Sequence, residues 1–118
     1  MRDLEKMRER YLRDAWPVRL GNLASNLRRL SNWIRMRHND QAVVDLIRES
    51  AWFIEWTAED TPIEVLAELA DMQRELCLWR RVWPLEAARP ILTLRARLMS
   101  GRTLELSGLL KGEEAQNA

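Results

Sequence analysis

Residues 61–83, TPIEVLAELADMQRELCLWRRVW, decide the fold class of this chain. Val65, Leu69, Met72, Leu76, Trp79 and Trp83 follow one another at spacings of 4, 3, 4, 3 and 4. That period keeps all six side chains on one face of an α-helix, and it is the seam by which helices pack at shallow crossing angles. The start of the stretch carries its own signal. Thr61 is the expected N-cap and Pro62 the first helical residue, with Glu64 placed to complete a capping box.

The same seam appears upstream. Trp16, Leu20, Leu23, Leu27, Leu30 and Ile34 repeat the 4, 3, 4, 3, 4 spacing. Trp16-Pro17, Asn39-Asp40, Thr61-Pro62 and Trp83-Pro84 punctuate the chain, and either Asn39 or Asp40 can cap the third helix. Helices are therefore predicted over about 2–15, 17–38, 41–59, 62–83 and 85–100. In the third, Val43, Ile47, Ser50, Ile54 and Ala58 share a core stripe. The fifth has two apolar faces, Ala87–Ile91–Leu94–Leu98 and Leu85–Ala88–Leu92–Met99, so it either lies between neighbours or has a partner chain. Pro90 predicts a kink or a late start there. Ser100-Gly101 is expected to end the helix, and the alternation Arg102-Thr103-Leu104-Glu105-Leu106 reads as a short extended arm. The resulting expectation is an all-α protein: an antiparallel helical bundle of four main helices plus an N-terminal helix, with a short extended C-terminal arm. Residues 1–111 form the single domain and 112–118 a disordered tail.

Composition narrows the function. The 118 residues carry 19 Lys and Arg against 18 Asp and Glu, a net charge of +1, with 47% hydrophobic residues, enough for a core. The charge comes in blocks: +6 over residues 1–39, −8 over 40–72 and +5 over 73–112. Blocks of opposite sign suit either self-complementarity within the bundle or a charged partner. Cys77 is the lone cysteine, which excludes an intrachain disulfide and a Cys-rich zinc site. No apolar run reaches the length of a transmembrane helix, and the N-terminus lacks the apolar stretch of a signal peptide. A cytoplasmic protein with no membrane contact is expected.

Nothing in the sequence carries catalysis. Neither GxxxxGK[ST] nor GxGxxG occurs, so there is no phosphate loop. His38, the single histidine, reads as a charge at a helix C-terminus rather than an acid or base without a partner. Glu64, Glu68, Asp71 and Glu75 lie on one helical face, but a di-metal bundle needs two histidines, so they read as a solvated face. Cys77 reads as a small buried hydrophobe. No cofactor and no metal are expected.

The six tryptophans carry the most information. Trp16, Trp79 and Trp83 fall on the seams. Trp52 and Trp56 fall opposite the core stripe of their helix, among Asp45, Glu49 and Glu59. Trp33 lies between Arg29 and Arg37, whose guanidiniums could both stack on it. Clustered aromatics off the core mark an interface, unless the fifth helix or the arm covers them. The expected interaction face is Arg29, Trp33 and Arg37 against Asp45, Glu49, Trp52 and Trp56, joined across a homodimer or offered to another protein. The rival is a nucleic-acid surface of Arg28, Arg29, Trp33, Arg35 and Arg37, extended by Arg89, Arg95, Arg97 and Arg102; the near-zero net charge weighs against it.

Overall fold

The computed structural model describes residues 3–110. Helices α1 (Leu4–Leu12), α2 (Trp16–Arg35), α3 (Asp40–Thr57), α4 (Ile63–Val82) and α5 (Arg89–Ser107) account for most of them, with short 3₁₀ turns at Ala58–Asp60 and Glu86–Ala88. No strand occurs among the described residues. The protein is all-α.

Local chemistry explains most boundaries. Asp3 caps α1 by accepting the Lys6 amide at 3.2 Å, and Asn39 caps α3 by accepting the Ala42 amide at 3.1 Å. Helix α2 enters through Pro17, and α5 starts late through Pro90, where a missing N–H costs nothing. At the end of α2 the His38 amide donates back to the Trp33 carbonyl at 2.9 Å, which requires Arg37 to take a left-handed φ of 55°. Helix α4 departs from expectation. The Thr61 hydroxyl donates to the Thr57 carbonyl at 2.6 Å, closing the preceding turn, so no capping box forms and no side chain caps α4.

Both leucine seams lie in the core. Leu20, Leu23, Leu27, Leu30 and Ile34 of α2 meet Val43, Ile47 and Ile54 of α3 and Leu69, Leu76 and Trp79 of α4, all buried, while Trp16 and Val65 pack on its edge. Helix α2 packs against α3 and α5, α3 against α4 and α1, and α4 meets α5 only lightly. The shortest dimension is 22 Å, about two helix diameters, so every helix keeps one face on the outside.

The α2–α5 pairing is the closest and rests on small residues. The Ser31 hydroxyl donates to the Thr93 carbonyl at 2.7 Å, and Ser100 reciprocates to the Ala24 carbonyl at 2.7 Å, so the two helices run antiparallel. Ala24, Ala96, Thr103 and Ser107 fill the buried seam between. This overturns the expected extended arm. Residues 102–106 are the last turns of α5, because Thr103 and Ser107 continue the inward row of Leu92, Ala96 and Met99 at helical spacing. The polar–apolar alternation there is incidental, and the helix stops at Gly108, whose φ of 75° suits a C-cap glycine. The expected tail, 112–118, lies outside the described residues.

The acidic face of α4 is also not simply solvated. Glu75 takes Arg95 at 2.7 and 3.3 Å, and Glu68 takes Arg102 at 2.8 Å to both oxygens. The two bidentate pairs are seven residues apart on each helix and form a ladder between antiparallel α4 and α5. The Arg102 guanidinium holds the Glu68 carboxyl below the usual carboxylate range.

Two outcomes are expected. An added Cβ at Gly101 in mid-α5 meets nothing within 4 Å, so Gly101→Ala should stabilise the fold by about 0.5–1 kcal/mol, seen as a higher urea midpoint. Trp79→Ala should open a core cavity and cost about 3–5 kcal/mol. Trp52→Ala, at a half-buried site, should cost less than half of that. Equal losses for the two in urea unfolding would mean that Trp52 belongs to the core.

Candidate interaction surfaces

The N-terminal end of α2 holds a buried polar cluster. Tyr11 stacks on Phe53 of α3 with ring centres 4.1 Å apart. Its hydroxyl donates to the Arg19 carbonyl at 3.0 Å and accepts from the Thr57 hydroxyl at 3.0 Å. Arg19 is itself only 3% exposed and ion-pairs with Asp60. Breaking such a pair on one side strands a buried charge. These bonds fasten α1 and α2 to the end of α3.

That fastening settles the surroundings of Trp52 and Trp56. Trp56 packs against Tyr11 and Phe53 with ring centres 6.1 and 6.0 Å away, and Trp52 stacks on Trp56 at 6.1 Å. The Arg48 guanidinium covers Trp52 at 5.9 Å. Both indoles are half-buried, and the helix beside them is α1, which contributes Leu4, Glu5 and Arg8 to their open hollow.

The remaining members of the expected face do not gather with them. The half-buried Trp33 ring lies 4.6 Å from the exposed His38 ring, and neither neighbouring guanidinium stacks on it. Arg37 turns away to ion-pair with Glu86. Arg29 and Glu49, assigned to opposite sides of a dimer contact, line one concavity within a single chain. Asp45 accepts from Gln41 at 3.0 Å one turn away. Within one chain the seven residues therefore occupy at least three surroundings.

Arg89, grouped in the sequence with nucleic-acid candidates, is a structural clamp. It donates to the Ile34 carbonyl at 3.1 Å, to Asp40 at 3.3 Å and to Glu86 at 2.8 Å, with its guanidinium 4.7 Å from the Trp83 ring. One side chain thus joins the end of α2, the start of α3 and the entry to α5. Arg89 and Arg37 together hold the Glu86 carboxyl below its ordinary range, Arg89 contributing more.

The two apolar faces of the fifth helix, which predict either flanking neighbours or a partner chain, resolve into one inner and one outer face of α5. Leu92 and Met99 of one apolar row are buried, whereas Ile91, Leu94 and Leu98 of the other are 64%, 56% and 52% exposed. A groove of about 1010 Å³ runs beside them, with Gly21, Ser25 and Arg28 of α2 on one wall and Leu94, Leu98 and Gly101 of α5 on the other. A hollow of about 160 Å³ continues it toward Arg35 and Pro90. The sequence signal of this surface is the second apolar row of the fifth helix, and no described residue covers that row.

Cys77 is exposed, which corrects its expected burial; the core-facing residues of its turn are Met72, Leu76 and Trp79. No group of three or more metal-ligating side chains occurs among the described residues, and none of the described helices is long and apolar enough to cross a membrane. Compared with known protein families, curated proteins and solved structures, the chain matches none.

Burial pushes the Tyr11 hydroxyl up to about 12, against smaller lowering by the Thr57 hydrogen bond and the Arg19 charge. The unfolded value is about 10. The protonated hydroxyl therefore contributes its full stability below pH about 10 and loses it as pH rises through about 12. Tyr11→Phe should cost about 1–2 kcal/mol at neutral pH. It should also flatten this part of the pH dependence when urea midpoints are followed from pH about 9 to about 12. Parallel curves for the two proteins would place the hydroxyl in water.

Proposed function

We propose that this chain is a small non-enzymatic helical module of the cytoplasm that works by protein–protein contact, its partner a second copy or a different protein. One observation carries the reading: Ile91, Leu94 and Leu98 keep heptad-like spacing on an outer face of α5 that no described residue covers. Scattered exposed leucines are ordinary, but a row at seam spacing beside a groove is what a partner helix uses. A nucleic-acid surface fits less well. Arg37, Arg89, Arg95 and Arg102 are engaged with acids, and the Trp33 ring faces His38 instead of standing free for a base.

Site-specific photo-crosslinking in the native cell tests the proposal. A crosslinking residue at Leu94 or Leu98 should give a discrete protein adduct, and one at exposed Asp71 on α4 should not. The adduct's mass distinguishes a second copy from another protein. Absence of a discrete adduct at both α5 positions would refute the reading.

A further inference from the structure

We infer that the groove between the outer faces of α2 and α5 receives an acidic amphipathic helix of a different protein; this rests on the interaction reading above. The argument begins with the charge around the apolar row. Arg28 and Arg35 on α2 and Arg97 on α5 surround the hollow next to Leu94, with Asn32, Thr93 and Pro90 filling the gaps. The hollow contains no acidic residue, and the acid lining the adjoining groove, Glu105, is paired with Arg102. Elsewhere on α5, Arg89, Arg95 and Arg102 each reach a carboxylate. Arg28, Arg35 and Arg97, all exposed, make no ion pair among the described residues. Three unneutralised guanidiniums beside a leucine row give a surface that selects carboxylates at the edges of an apolar stripe.

Shape points to a helix. The groove and hollow share Arg28, Leu94 and Arg97, so they form one trough from Gly21 to Arg35, about four helical turns long. Gly101 leaves open space on its α5 wall, where a second backbone can come close.

Charge also decides against a second copy. A two-fold contact centred on Leu94 and Leu98 would bring two copies of the Arg28, Arg35 and Arg97 cluster into one interface, and like charges gathered there oppose it. Docking the acidic α3–α4 side of another copy here would be head-to-tail, which builds open chains rather than a closed dimer. A separate acidic partner meets neither objection.

The test uses the full chain and a labelled helical peptide with leucines at seam spacing and glutamates flanking them, read by fluorescence anisotropy. Two controls accompany it: the same peptide with lysine for glutamate, and a labelled thymidine oligonucleotide. The glutamate peptide should bind, and higher salt should weaken it. Arg28→Glu with Arg97→Glu should weaken it about tenfold or more, while Leu94→Gln with Leu98→Gln should abolish it. These side chains are exposed, so unchanged melting temperatures keep loss of binding separate from loss of fold. Equal binding of the lysine peptide, or tighter binding of the oligonucleotide, would overturn the inference. If Leu94 crosslinks to a second copy or to a non-acidic segment, the inference fails while the interaction reading stands. If no peptide binds and Leu94 gives no adduct, both fail.

Discussion

The close antiparallel pairing of α2 and α5 sets the terms for the rest of the molecule. Two helix backbones approach this closely only where the residues between them are small, and here they are Ala24, Ser31, Ala96, Ser100 and Thr103. The two serine hydroxyls, each donating to a carbonyl of the opposite helix, satisfy their own polarity inside the contact. A seam built from alanine, serine and threonine has no room for large side chains. Ile91, Leu94 and Leu98, which fall off the Leu92–Met99 row, are therefore turned outward. The exposed row of Ile91, Leu94 and Leu98 follows directly from the tightness of the inner contact.

Arginine is the second organising element, and it works at the ends and the sides. Arg19 with Tyr11, Thr57 and Asp60 secures one end of α2, and Arg89 with Ile34, Asp40 and Glu86 secures the other. Arg95 and Arg102 span the light contact between α4 and α5. The planar guanidinium, with several donors in a fixed fork, can join a backbone carbonyl and a carboxylate at once, which an ammonium on a flexible stem does less well. Charges of opposite blocks meet at Arg19–Asp60, Arg89–Asp40 and Arg102–Glu68. Arg28, Arg35 and Arg97 make no such pair among the described residues and stand together beside the exposed Leu94.

The legible parts of the sequence were those governed by periodicity. The seams Leu20–Ile34 and Leu69–Trp79 are buried as their spacing predicts, Asn39 caps α3, and Pro90 delays the start of α5. Residues 100–107 were misread because inward Ser100, Thr103 and Ser107 are polar, and hydropathy cannot mark a polar residue as core when its hydroxyl finds a partner inside the fold, here the Ala24 carbonyl, the Met72 sulfur and the Leu104 carbonyl. Thr61 was misread for a related reason: its hydroxyl had two possible backbone partners, and the preceding turn won. For the interaction surface, the wheel correctly set Trp52 and Trp56 off the main stripe, but it could not foresee α1 lying beside them. Nor could spacing alone show that Arg29 and Glu49 share one concavity, because that depends on how α2 and α3 are docked.

The same inner seam has a kinetic side. Ser31 meets Thr93 and Ser100 meets Ala24 across 62 and 76 positions of chain, whereas α2–α3 and α3–α4 join sequence neighbours. Loop-closure entropy makes the distant pairing the later event. Once in place, it buries Leu92, Ala96 and Met99 in the core beside the two serine bonds. Local opening of α5 would expose that seam to solvent. A partner bound across the outer faces of α2 and α5 would oppose that opening from outside, so that occupancy of the surface and order of the last helix would be two measures of one equilibrium.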